Sequence, residues 1–240
     1  MIYNKFLKLY NSKKKGIAVL IDPDSENTKN LKKKIKMINE SSVDFIFVGG
    51  STLFLKELDT FLKKIKSLSE KPVIIFPGSA LQVSRYCDAI LFLSLISGRN
   101  PQFLIGEQVS SAMRIKKLGI EAIPTGYILI ESGRTTSVEF ISNTRAIPRD
   151  KHNIVLSHAV CGELLGFKSI YLDGGSGAIY PVPDDLIKKV KKEIKIPLIV
   201  GGGIRSIDEI KRKQDAGADI VVIGNILEKD MSLLKNLKGG

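Results

Sequence analysis

Eight short runs rich in Val, Ile and Leu recur along this chain, nearly all separated by a stretch of helical periodicity, and that alternation leaves few folds open. The runs are GIAVLI (16–21), DFIFVG (44–49), PVIIF (72–76), AILFLS (89–94), EAIPTGYI (121–128), SIYL (169–172), PLIVG (197–201) and DIVVIG (219–224). Each is apolar on both faces, as a strand must be when helices cover one side and a packed core the other. Strands alternating with helices build parallel sheets. Eight such units in 240 residues predict one domain over 1–240, an α/β (β/α)8 TIM barrel.

The helical stretches carry their apolar residues at the expected spacing. Leu31, Ile35 and Ile38 form one stripe, and Phe54, Leu58, Phe61, Ile65 and Leu68 another. Residues 102–118, 153–165, 184–193, 206–215 and 227–236 read as further helices, and MIYNKFLKLYNS as an extra helix closing the barrel's bottom. One unit is defective. PGSALQVSRYCD (77–88) is too short for a crossover helix with two loops, so the third helix is predicted to be degenerate and to leave a groove in the outer ring. Residues 129–150 read as an irregular stretch of the length expected for a binding loop or lid.

Composition narrows the class further. A hydrophobic share of 43% with 26% charged residues excludes a disordered chain. No apolar run is long enough for a signal peptide or a spanning helix, which sets the expectation of a cytoplasmic protein. The net charge of +12 suits a nucleic acid, an anionic membrane surface or a polyanionic substrate. The lysines, however, interleave with apolar stripes in LKKKIKMINE, FLKKIKSLSEK and LIKKVKKEIK, which is the pattern of solvated helix faces; no nucleic-acid motif accompanies them. Cys87 and Cys161 fit no metal spacing and read as reduced packing residues, and His152 and His158 as structural or surface residues.

The chemistry concentrates at predicted strand ends. GGGIRS (201–206) follows the seventh strand and GN (224–225) the eighth, each leading into a helix. Glycines let backbone N–H groups approach phosphate oxygens, and barrels bind phosphate at these two loops. The sixth strand runs into YLDGGSGA (171–178), where Asp173 is either a turn residue or a general base at the barrel mouth. The first strand ends in IDPD (21–24), with Asp22 facing the site and Asp24 capping a helix that begins near Glu26; the second ends in VGGST (48–52). One carboxylate with one hydroxyl or carbonyl suits Mg2+, which keeps waters and takes its remaining ligands from substrate phosphates.

In the order IDPD, VGGST, FPGS, SGRNP, PTGYILIESGRTTSV, YLDGGSGA, VGGGIR and IGN, the chain resembles the geranylgeranylglyceryl phosphate synthase family and its heptaprenylglyceryl phosphate synthase relatives from about residue 16 to 226. The resemblance implies a modified (β/α)8 barrel without a regular third helix. It implies a prenyltransferase of phospholipid biosynthesis that joins a prenyl group, geranylgeranyl by expectation, from its diphosphate to the hydroxyl of sn-glycerol 1-phosphate with the cofactor Mg2+. Carried over residue by residue, Asp22 and Ser51 would bind the metal. Tyr171, Leu172, Asp173, Gly174, Gly175, Ser176, Gly177, Gly202, Gly203, Gly224 and Asn225 would form the glycerol phosphate site, with Asp173 as the base. Asp173 stands where many relatives carry Glu, and Leu20 where some carry Lys. Arg99 in SGRNP would hold diphosphate or serve its loop. The resemblance also implies a homo-oligomer, and the basic surface implies transient contact with a membrane surface. A phosphate-binding isomerase, a flavin oxidoreductase or a non-catalytic prenyl-phosphate-binding barrel would use the same glycine loops.

Overall fold

A computed structural model of the chain describes residues 1–24, 28–50, 58–229 and 231–237. The sheet is a closed parallel barrel in which each strand pairs with the next in sequence and the first with the last. The strands are β1 (Gly16–Ile21), β2 (Phe45–Val48), β3 (Val73–Ile75), β4 (Ala89–Leu95), β5 (Glu121–Leu129), β6 (Ser169–Asp173), β7 (Leu198–Gly201) and β8 (Ile220–Ile223). All eight expected strands are present, most of them trimmed or extended by a residue or two.

Helices α1 (Ile2–Ser12), α2 (Thr28–Asn39), α3 (Leu58–Leu68), α4 (Glu107–Leu118), α5 (Ser137–Ser142), α6 (His152–Leu164), α7 (Asp184–Glu193), α8 (Ile207–Asp215), α9 (Asn225–Lys229) and α10 (Ser232–Asn236) complete the fold. The sequence of α7 shows why such a helix forms and where it packs. Asp184 and Asp185 open it, Lys191 and Lys192 close it, and each charge pair suits the end of the helix dipole it occupies. Leu186, Ile187 and Val190 bury its inner stripe completely.

The structure refines several expectations. The helix read at 102–118 begins with a π-helical turn, Gln102–Gly106, before α4. The helix read at 227–236 is two short ones, α9 and α10. The stretch 129–150 holds α5 and a bridge between Ile130 and Ile147. Between β3 and β4 there is no helix, as expected; Gln82 braces that connection instead, accepting from Gly78 N at 3.1 Å and donating to Gly50 O at 3.0 Å. Phe54, and the chain that Asp24 was read to cap, lie outside the described residues. Cys87 is half-buried, and burial pushes its thiol up to about 12, as befits a reduced packing residue. Cys161 is a correction: it lies on the outward side of α6 and is exposed. No helix among the described residues is long and apolar enough to cross a membrane.

Two apolar cores follow from strand alternation. One fills the space between strands and helices, and the other, with Phe45, Phe47, Ile74, Leu91, Tyr127 and Tyr171, fills the barrel. Helix α1 plugs the barrel's bottom as expected. Its Phe6 is fully buried and packs edge-on against Phe45 at 5.0 Å. Met1 makes no side-chain cap, and Glu121 of β5 takes that role by accepting Ile2 N at 2.5 Å and Tyr3 N at 2.9 Å. Phe6→Ala removes the plug's main apolar anchor. We expect unfolding in urea to give a free energy lower by about 3–5 kcal/mol.

Candidate functional site

Inward and outward side chains alternate along each strand, so the sequence of β6 decides what the barrel mouth contains. Ile170 and Leu172 join the outer core, while Tyr171 and Asp173 point inward. Register sets Tyr127 of β5 beside Tyr171, with ring centroids 5.4 Å apart, and Asp173 beside Gly201 of β7. Phe76, just past β3, packs against both tyrosines at 6.1 and 5.3 Å. The reactive end of the barrel therefore has an aromatic floor.

Asp173 stands on that floor, only 6% exposed. One carboxylate oxygen accepts the Tyr127 hydroxyl at 2.5 Å, and the other accepts Gly175 N at 2.8 Å. Burial raises its pKa, while those two donors pull it down. Burial also holds the Tyr127 and Tyr171 hydroxyls well above their usual range, and the charge of Asp173 adds to this. Tyr127 therefore stays protonated and donates.

Two glycines explain how the loops fit around this carboxylate. A Cβ on Gly201 would collide with the Tyr171 hydroxyl. Gly202 has φ +82°, and a Cβ there would lie 2.6 Å from an Asp173 oxygen and from Gly174 N, and 2.7 Å from Gly175 N. The β6 and β7 loops thus meet backbone to backbone. Ser206 caps α8 by accepting Glu209 N at 3.1 Å, and the Glu209 carboxylate accepts the N–H of Arg205, one residue before the cap, which together fix the β7 loop. Ser176 reaches Asn225 Oδ1 at 3.3 Å and ties the β6 loop to the end of β8.

A cavity of about 560 Å3 opens on this assembly. One end is polar, with Asp22, Tyr171, Asp173, Gly175, Ser176, Gly177, Gly202, Gly203, Gly224 and Asn225 in its wall. The other end is an apolar groove past Phe76, Val83, Ile90, Phe92, Leu95 and Phe103, where the helix between β3 and β4 would otherwise lie. The arrangement can hold a phosphate ester against the glycine loops and an apolar chain along the groove, with a buried carboxylate between them.

Most of the residues expected from sequence meet in this cavity. Leu172 does not, because alternation turns it to the outer core, and Gly174 contributes only its N–H, donated to Gly201 O at 3.1 Å. Arg99 is turned away from the cavity. Its guanidinium donates to Gly98 O at 2.7 Å and approaches His158 on α6 at 3.4 Å, so it serves its loop. His152 and His158 are structural, meeting Lys189 and Ile154 O at 2.8 and 2.7 Å. Ser51 lies outside the described residues. Asp22 lines the cavity and accepts Asp24 N at 3.0 Å, and Gly50 is close enough that a Cβ would come within 2.9 Å of its carboxylate. Sequence reading missed Tyr127, which looks like core within EAIPTGYI, and the cavity-lining Arg134 and Arg205. Their signal was their position, just beyond strands five and seven.

Comparison with known proteins shows which family the chain is similar to. The chain matches the PcrB family over residues 10–239. A geranylgeranylglyceryl phosphate synthase of Chitinophaga pinensis is 46% identical over 236 residues, covering 98% of this chain and 94% of its own. One from Pyrococcus horikoshii is 45% identical over 230 residues, covering 95% and 90%. The crystal structure of (S)-3-O-geranylgeranylglyceryl phosphate synthase from Thermoplasma acidophilum in complex with substrate sn-glycerol-1-phosphate is 34% identical, with a TM-score of 0.92 over 99% of this chain and 95% of that one.

The bond between Tyr127 and Asp173 makes a prediction of its own. Tyr127→Phe removes a donor that lowers the carboxyl's pKa, so Asp173 titrates at higher pH in the variant. Carbon-detected NMR titration checks this, and an unmoved Asp173 resonance would show the bond to be electrostatically idle.

Proposed function

The chain belongs to the PcrB family, and we propose that it is a prenyltransferase joining a prenyl group from its diphosphate to the C3 hydroxyl of sn-glycerol 1-phosphate. The observation that carries this reading is a buried carboxylate set between a glycine-built phosphate grip and an apolar groove, in a chain so similar to a synthase crystallised with that substrate. The isomerase and flavin readings account for the grip but not for the groove, and the non-catalytic prenyl-phosphate-binding reading accounts for both but not for the buried carboxylate between them.

In this reading the backbone N–H groups around Gly202, Gly203 and Gly224 hold the substrate's phosphate, and Tyr171, Ser176 and Asn225 line its glycerol. The hydroxyl's proton passes to Asp173 as its oxygen bonds to the allylic carbon, and the carbon–oxygen bond to diphosphate breaks. Raised basicity suits that task, since a carboxyl at its ordinary pKa is a poor proton acceptor. Tyr127 holds the carboxylate in place during the transfer. The apolar groove takes the prenyl tail and keeps water from the reacting carbon.

Asp22 fits a Mg2+ ion, with Ser51 as its second ligand in this reading: a single carboxylate beside backbone matches a metal that draws its other ligands from phosphate and water. Bound there, Mg2+ would neutralise charge on the leaving diphosphate. We further read the protein as a cytoplasmic homo-oligomer that touches membrane surfaces transiently. Helix α6 and the residue that caps it support self-association, since Ile154, Leu164 and Leu165 at 46, 83 and 69% exposed leave this surface apolar toward solvent.

Incubation with sn-glycerol 1-phosphate and prenyl diphosphates of graded length, with and without Mg2+, tests the reading. Ether product is expected only with the metal, and no product under any combination would overturn it. Asp173→Asn should cut turnover by about 100-fold or more. It should not lower Tm. A carboxyl whose folded pKa lies above its unfolded value loses its contribution to stability as pH rises through the folded pKa. At neutral pH the buried charge therefore opposes folding, and removing it does not.

A further inference from the structure

Two anions must enter a cavity whose wall already carries the carboxylates Asp22, Glu107 and Asp173. Countercharge is therefore needed, and the described lining offers two guanidinium groups, Arg134 and Arg205. Arg205 is engaged as a brace, donating to Ala178 O at 2.8 Å. Arg134 is exposed, and no described acidic side chain pairs with it. Its Nη1 lies 4.0 Å from where a Cβ on Gly177 would stand, directly beside the phosphate grip.

The segment that carries Arg134 is anchored on both sides of it. Ser132 O accepts both Ile179 N and Tyr180 N at 3.0 Å, stitching the β5 loop to the β6 loop. Gly133 N donates to Glu131 at 2.5 Å, and Glu131 N to Ile147 O at 2.8 Å. On the far side Thr136, 4% exposed, wedges against Gly175, where a Cβ would come within 2.5 Å of its hydroxyl. An arginine rooted in fixed backbone loses less freedom on binding than one on a loose loop, and its planar fork matches two phosphate oxygens.

We propose that Arg134 is a substrate-binding residue that closes over the glycine grip and pairs with the phosphate of the glycerol substrate. This rests on the prenyl-transfer reading for the identity of the substrate, but not for its phosphate chemistry. It assigns to the β5 loop the countercharge that Arg99, turned toward α6, does not supply.

Arg134→Gln and Arg134→Lys test it by two readouts. Calorimetric titration of each variant with sn-glycerol 1-phosphate, and separately with inorganic phosphate, should show affinity weakened on the order of 10- to 100-fold for Gln and less for Lys. In turnover, the KM for sn-glycerol 1-phosphate should rise by a similar factor while the KM for prenyl diphosphate stays put. Unchanged affinity for both phosphate ligands in a folded Arg134→Gln protein would overturn the assignment. So would a change confined to the prenyl diphosphate KM, which would give Arg134 to the other substrate. If the wild type makes no ether product yet Arg134→Gln weakens phosphate binding, the prenyl-transfer reading fails and the phosphate clamp stands.

Discussion

Pairing of Gly16 through Val19 with Ile220 through Ile223 closes the sheet, and everything at the mouth depends on that closure. Once the barrel is shut it has an inside, and strand alternation then fixes which side chains enter it. Tyr127, Tyr171 and Asp173 enter from neighbouring strands, stacked by register rather than by contact of their own choosing. A one-residue slip of β6 would send Asp173 to the outer core and Leu172 to the mouth. Closure also removes sheet edges, so the chain needs no further device against edge pairing.

Much of this was legible in the sequence because the relevant signals were positional. Eight runs apolar on both faces have few places to go except a sheet covered on both sides. Glycines at the ends of strands seven and eight carry meaning that glycines elsewhere do not, and the shortness of 77–88 announced the missing helix. What stayed hidden was side-chain direction. Arg99 and Arg134 are both arginines just beyond a strand, and nothing local says that one turns to α6 while the other faces the cavity. Leu172 was carried into the site by its neighbours in a contiguous motif, although alternation excludes it. Tyr127 read as packing because an aromatic in an apolar run usually is; only the register with β6 turns it into a partner for a carboxylate.

The site also shows how a strongly basic protein keeps an acidic centre. Most of the lysines are exposed on outer helix faces, where water screens them from the barrel mouth. Within the mouth the aromatic floor lowers the local dielectric, so the few groups aimed at Asp173 count for more than the many charges outside. Burial raises its proton affinity, and a tyrosine hydroxyl and a single backbone N–H offset part of that rise.

The cap that Glu121 places on the first helix has a consequence for assembly. That contact joins residues 119 positions apart, across half the chain. Until strand five exists, α1 has neither its acceptor for Ile2 and Tyr3 nor a finished barrel in which to seat Phe6. A floor made from the first residues is therefore among the last parts to set, and the route to it carries the loop-closure cost of long-range contacts. Phe6 and its neighbours stay uncovered through that interval, so a helix that precedes every strand in sequence takes its place after them.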